Sequence, residues 1–304
     1  MTLAKKKESE ILVVSGPKGG VGKTTIAANL AIALADLGKT VTVVDLDLGA
    51  ANLHAVFGFR ESRYTLDDFV LNKVKNLEDI VEDSGISGLK LILGGDIPGI
   101  ANLAYAKKMK LIRHLSWLET DMVIMDLGAG TSFNVVDFAM IADRGLIVTT
   151  SEVPSLLNTY SFIKSAVFRR LAVHFRHRKD FEILAILELA KDPNNNQHLK
   201  TMADFLAEAA KVDPAAAESV LPILASFRPM IAVNRARGNS DRSAGEVVRN
   251  LMHKYLDVHN QSMVTVSEDP GLRRSAALLK PIMAYDKQSP FSQDIIRIAR
   301  EFCL

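Results

Sequence analysis

Apolar positions along the chain fall into short solid runs and into longer stretches with helical spacing. Residues 11–14 are Ile-Leu-Val-Val, 40–45 Thr-Val-Thr-Val-Val-Asp and 122–126 Met-Val-Ile-Met-Asp. Runs this short, mostly apolar and rich in β-branched residues, predict buried strands. Further strands are predicted at 89–93, 145–149, 230–234 and 263–266. Helical spacing predicts 24–37, closed by Gly38 just past the C-cap, and also 156–168 and 246–256. Strand, glycine turn, helix and strand in that order predict an α/β fold. Its core is a doubly wound, mostly parallel sheet flanked by helices.

One region breaks the alternation. From 169 to 227 no strand pattern emerges. Residues 181–190 read as helix from their length and their Leu, Ala and Glu content. A loop follows at Asp192-Pro193-Asn194-Asn195-Asn196. Two more helices come next, the second with Asp213 as N-cap and Pro214 in its first turn. The expectation is a single domain over 1–304, carrying a helical insertion at 169–227 suited to partner contact.

Composition narrows the classes. Apolar residues make up 48% of the chain, enough for a large core, and the formal net charge is only +2. That balance gives no global pull toward nucleic acid or lipid. The one cysteine, Cys303, excludes internal disulfides and cysteine-based metal or cluster sites. Lys5, Lys6 and Lys7 read as a solvated tail, because Glu8, Ser9 and Glu10 follow them rather than a signal-peptide core. No apolar stretch approaches the ~18 residues of a membrane span. A cytoplasmic address is expected, with a peripheral position at the inner membrane face left open.

Between the first strand and the first helix lies Pro17-Lys18-Gly19-Gly20-Val21-Gly22-Lys23-Thr24-Thr25. A glycine-rich turn there lets successive backbone N–H groups point at one anion, and the helix start adds its positive end. In this reading Gly19, Gly20, Val21 and Gly22 cradle the phosphates of ATP. Lys23 holds the β- and γ-phosphates, Thr24 sets its hydroxyl on Mg²⁺, and Thr25 reaches the α-phosphate. The strict phosphate-loop spacing is not met, since Pro17 stands where its first glycine belongs. The 121–126 run ends in Asp126, an arrangement in which the acid holds Mg²⁺ through a water.

The stretch Lys18-Gly19-Gly20-Val21-Gly22-Lys23-Thr24-Thr25 resembles the deviant Walker A box of the MinD/ParA ATPases. The resemblance implies a dimer with ATP sandwiched between protomers, in which Lys18 reaches the partner's phosphates. Asp45-Leu46-Asp47-Leu48-Gly49 looks like switch I of that family, and Ala50-Ala51-Asn52-Leu53-His54 narrows the likeness to the MinD and FlhG branch. This implies that Asp47 orients or deprotonates the attacking water; Asp45 also reads as a cap. Leu127-Gly128-Ala129-Gly130 resembles switch II. The segment after it resembles the family's too, with Ser151-Glu152-Val153 where Pro-Glu-Pro is usual. Ala232-Val233-Asn234-Arg235-Ala236 is similar to the strand end whose Asn contacts adenine, which implies that role for Asn234. The cysteine-bearing cluster carriers and the tyrosine kinases of the superfamily do not fit, for lack of their cysteines and of a C-terminal tyrosine cluster. Residues 1–10 lack the activating segment common in the flagellar branch.

The resemblance implies an ATP-hydrolysing dimerisation switch that positions or regulates a cellular assembly through a protein partner or cargo. Lys18, Lys23 and Asp47 are its implied catalytic residues, with Mg²⁺ on Thr24 and Asp126. Two alternatives share the superfamily: a metabolic synthetase or amidotransferase, and a DNA-associated partition ATPase. Two segments are candidate surfaces. Phe291, Ile295, Ile298 and Phe302 share one helix face at the C-terminus, which either packs on the core or lies on a membrane. Arg169, Arg170, His174, Arg176, His177, Arg178 and Lys179 form a basic run, either a solvated helix face or a contact for lipid or DNA phosphates.

Overall fold

The computed structural model describes residues 8–48, 50–60, 62–96, 103–142, 144–259 and 261–304, without the side chains of Phe133, Ile141 and Arg242. The three N-terminal lysines and Gly49 lie outside the described residues. The strands are β1 (Glu10–Ser15), β2 (Val41–Leu46), β3 (Val81–Asp83), β4 (Leu89–Ile92), β5 (Met122–Leu127), β6 (Arg144–Thr150), β7 (Met230–Ala236) and β8 (Ser262–Ser267). They form one eight-stranded sheet in the order β3-β4-β2-β5-β1-β6-β7-β8. Every neighbouring pair is parallel except β3 on β4. The doubly wound, mostly parallel fold is therefore present. The short edge strand β3 was not expected; it is Val-Glu-Asp and not one of its residues is buried.

Alternate strand residues feed two layers. Leu12 and Val14 point into the layer holding the helices Lys23–Asp36 and Pro290–Phe302. Ile11 and Val13 point into the opposite layer, with residues of Tyr105–Ser116, Phe133–Ile141, Val153–Arg178 and Asn239–Leu256. Burial on both faces is why these strands are apolar at nearly every position. β1 lies between β5 and β6. Its following helix covers one face and leads toward β2; the helix after β6 covers the other face and leads toward β7. Such a reversal opens a crevice at the carboxyl ends of β1 and β6.

The C-terminal helix is part of the core. Ser289 caps it, its Oγ accepting from Ser292 N at 3.1 Å. Phe291, Ile295, Ile298 and Phe302 are all buried, against the Lys23–Asp36 helix and β8. Of the two readings of this face, the packed one holds, and no apolar stripe remains for a bilayer. No described helix is long and apolar enough to cross a membrane.

Between β6 and β7 the described residues form helices joined by loops, with no strand. Val153–Arg178 is one continuous helix of 26 residues that runs through position 169. Phe181–Ala190, Met202–Val212, Pro214–Glu218 and Val220–Ser226 follow. Asp213 is the expected N-cap, its Oδ1 accepting from Ala215 N at 2.9 Å.

The basic run divides in two: Arg176, His177, Arg178 and Lys179 are exposed, whereas Arg169, Arg170 and His174 are half-buried. Arg169 is turned inward onto Asp137, with Nε 2.8 Å from Oδ1. Burial pushes the Arg170 guanidinium pKa down. His174 Nε2 lies 2.8 Å from Ser219 Oγ. Arg178 Nε binds Asp180 at 2.6 Å. Successive residues of a helix point 100° apart, so six such residues in ten positions are spread around its circumference.

Asp137 also accepts from Lys108 Nζ at 2.6 Å, and both side chains are buried. A buried pair of this kind holds its geometry because each charge would be costly alone. It ties together the helices Tyr105–Ser116, Phe133–Ile141 and Val153–Arg178.

Candidate nucleotide site

The loop after β1 occupies the crevice. Gly20 and Gly22 take left-handed backbone angles, with φ of 75° and 98°. At Gly22 a Cβ would stand 2.5 Å from Asn234 Nδ2, and at Gly16 it would stand 2.5 Å from the Val148 carbonyl oxygen. Two glycines are thus fixed by close approach to β6 and β7, and Gly22 by its φ as well. Helix Lys23–Asp36 starts directly from Gly22. Its first N–H groups and the loop amides form a rim suited to an anion.

The two loop lysines differ sharply. Lys23 is buried, with Nζ 3.5 Å from the Lys18 carbonyl oxygen. Burial lowers its pKa, opposed by the Asp126 and Asp47 carboxylates. Lys18 is exposed, and its Nζ lies 3.3 Å from Glu152 Oε2. Gly19 and Gly20 are exposed, and Val21 is buried. Thr24 and Thr25 stand half-buried in the first helical turn, where the Thr25 carbonyl accepts from Asn29 Nδ2 at 2.7 Å.

Two aspartates, Asp126 and Asp47, act on Lys23, and a third, Asp45, acts on Asp126. Asp126, at the end of β5, is fully buried and its pKa is pushed up to about 8. Burial is the main cause, followed by the Asp45 charge, while a hydrogen bond from Thr24 pulls the other way. Its Oδ1 has no hydrogen-bond partner in the described protein. An unpaired carboxylate oxygen beside a threonine hydroxyl is an oxygen-donor set that fits Mg²⁺, and a cation there would offset the cost of ionising the acid. Asp47 is half-buried, and burial raises its pKa against the pull of Lys23. Gly128 packs onto it so tightly that a Cβ there would stand 2.5 Å from Asp47 Oδ1.

Asp45 is the cap. Its Oδ2 accepts from Asn52 N and Leu53 N, both at 2.9 Å, and its Oδ1 accepts from Asp47 N at 3.1 Å. It shapes the turn that carries Asp47.

Asn234 lies near the end of β7, against the loop. Its Nδ2 donates to the Val21 carbonyl at 2.7 Å, and its Oδ1 accepts from Arg235 N at 2.9 Å. Sequence reasoning missed Arg235. That residue has a φ of 58°, and its guanidinium donates to the Gly20 carbonyl at 2.7 Å. A non-glycine residue with positive φ is uncommon, but nothing in the sequence marks it. Glu152, also missed as a site residue, has a visible signal, for it takes the place of the family's usual acid between two prolines.

A parallel sheet whose first strand feeds a glycine loop, a buried lysine and a helix N-terminus defines a P-loop nucleotide-binding protein. The family model for the CobQ/CobB/MinD/ParA nucleotide binding domain matches residues 12–282, and the chain belongs to that family. Over 158 residues it is 34% identical to the antiactivator FleN of Pseudomonas aeruginosa, covering 51% of this chain and 55% of the relative. Over 148 residues it is 38% identical to the septum site-determining protein MinD of Thermotoga maritima, covering 48% and 54%. These matches span about half the length of the curated relatives. Among solved structures, the septum site-determining protein MinD complexed with Mg-ADP from Pyrococcus horikoshii superposes with a TM-score of 0.64 at 21% identity. That superposition covers 97% of this chain and 96% of the other, and shows the shared fold.

Proposed function

We propose that the chain is an ATP-hydrolysing dimerisation switch. The observation that carries this reading is the division of labour between two lysines of one loop. Lys23 is buried and faces the Asp126 and Asp47 carboxylates, on the side suited to a bound phosphate chain. Lys18 is exposed and pairs with an exposed acid, Glu152. A cation displayed at the rim of a phosphate site can neutralise charge on a second copy's nucleotide.

In this mechanism Gly19, Gly20, Val21 and Gly22 cradle the phosphates of ATP with backbone N–H groups, and Thr25 reaches the α-phosphate. Thr24 and Asp126 would hold Mg²⁺, which would supply positive charge to offset that of the phosphates. Lys23 binds the β- and γ-phosphates. Asp47 orients the attacking water and takes its proton, and raised basicity from burial suits that task. Asn234 contacts adenine; each end of its amide keeps a second hydrogen or lone pair while it holds the loop. The relatives named FleN and MinD suggest regulation or positioning of an assembly in the cytoplasm, through a protein partner. Helices within 169–227 are the proposed contact, since Phe181 there is 70% exposed and Leu189, Val212 and Leu221 are exposed as well.

The test is phosphate release per protomer against protein concentration. A switch that completes its site in a dimer gives a rate that rises steeply with concentration. A rate independent of concentration, or one that needs a small co-substrate, contradicts the proposal and favours a metabolic synthetase.

A further inference from the structure

We propose that a cleft remote from the phosphate loop binds an anionic amphiphile, a small molecule with a carboxylate or phosphate head and an apolar tail. The inference goes beyond the ATPase reading and does not rest on it. The cleft has a volume of about 350 Å³ and lies between segment 69–75 and the helix Tyr105–Ser116. That is within the size range of small-ligand sites, which begins at roughly 300 Å³. Its floor is apolar, made by Phe69, Val74, Leu103 and Leu111. Its rim is cationic: Lys75, Lys107 and Lys110 are all exposed and line it.

Among the described residues no acidic side chain lines the cleft, and these three lysines have no ion pair. Other surface lysines, such as Lys73, Lys191 and Lys211, are paired with nearby acids. Three unpaired cations around an apolar floor favour a ligand that joins one negative head to an apolar body. A neutral apolar molecule leaves the charges unanswered, and a free anion leaves the floor uncovered. Helical spacing builds the arrangement: Lys107, Lys110, Leu111 and His114 recur at three and four residues along one face. The adjacent face of the same helix carries Lys108, Ile112 and Leu115 into the core.

The cleft has a built-in reporter. Trp117 is the one tryptophan of the chain. Its ring lies 5.8 Å from that of His114, which lines the cleft, and it is 44% exposed.

Sodium decanoate and decyl phosphate, kept monomeric, are titrated into the full chain while Trp117 emission and binding heat are followed. The proposal expects saturable one-to-one binding with a change in emission. Decanol, with the same tail and no charge, binds about tenfold more weakly. The K107E/K110E variant weakens decanoate binding by about tenfold as well, with melting temperature and nucleotide binding unchanged. Decanoate binding no tighter than decanol overturns the proposal. So does an unchanged decanoate affinity in K107E/K110E, or in Lys75→Glu as a second variant. A Trp117 response to phosphatidylglycerol vesicles with none to monomeric decanoate or decyl phosphate also overturns it, and points to a lipid surface instead.

Discussion

Lys18 Nζ lies 3.3 Å from Glu152 Oε2 of the same chain, with side-chain exposures of 45% and 66%. An ion pair this open is worth little, because water screens it and both side chains lose freedom to form it. Lys18 is therefore held at the rim of the loop without being committed there. Lys18→Ala should keep nucleotide affinity within about threefold, since only an exposed pair is lost. It should lower ATP hydrolysis by a factor on the order of 10³, as loss of a cation supplied in trans does elsewhere. Fluorescent-nucleotide titration and phosphate release measure the two effects; equal losses in both would assign Lys18 to the same-chain site.

Gly22 and Gly19 make a paired test of the loop. An added Cβ at Gly22 meets Asn234 and a φ of 98°, whereas at Gly19 it meets nothing within 4 Å. Gly22→Ala should destabilise the nucleotide-free protein by about 1–3 kcal/mol. Gly19→Ala should cost less than about 0.5 kcal/mol. Urea unfolding of both variants checks the order, and equal costs would mean that Asn234 does not press on the loop.

Asp126 predicts a pH signature in metal-free buffer. Its pKa rises from 3.8 to about 8 in the folded chain, chiefly through burial. Between those values the folded state holds a proton that the unfolded state has released. The stability it contributes is full below the lower value and is lost as pH rises through the upper one. Asp126→Asn removes this dependence, so the variant should gain on the wild type as pH climbs from 4 toward 8. Melting temperatures across that window give the comparison. Added Mg-ATP should reverse the order, because only the carboxylate can meet the cation.

Asp137 should matter for stability and not for chemistry. It is buried and bonded to both Lys108 and Arg169. Asp137→Ala removes the carboxylate that both cations share and should cost about 3–5 kcal/mol in urea unfolding. The folded variant should still bind nucleotide, and a loss below about 1 kcal/mol would show that water already reaches the cluster.

Much of the site was legible because its chemistry sits in consecutive residues. The 18–25 loop, the strand ends at Asp47 and Asp126 and the helix after Gly22 all read directly from the chain. What escaped was set by distant contacts. The helices Tyr105–Ser116 and Phe133–Ile141 could not be given bounds from the sequence, since each carries a charge, Lys108 or Asp137, on the face that enters the core. Each breaks an apolar pattern that only the other's presence restores. The inward turn of Arg169 within the basic run was hidden as well, for it answers Asp137, 32 positions away. Arg235 needed the loop beside it before its backbone angle acquired a meaning.

The central claim is tested most directly by the solution mass of Asp47→Ala, measured by light scattering with saturating Mg-ATP and with Mg-ADP. Slowed hydrolysis should trap the ATP form, so the account predicts a dimer, twice the 33.3 kDa of the chain, with ATP and a monomer with ADP. The added Lys18→Ala change should return the ATP sample to monomer. A monomer with saturating Mg-ATP, at protein concentrations where hydrolysis is observed, would contradict it.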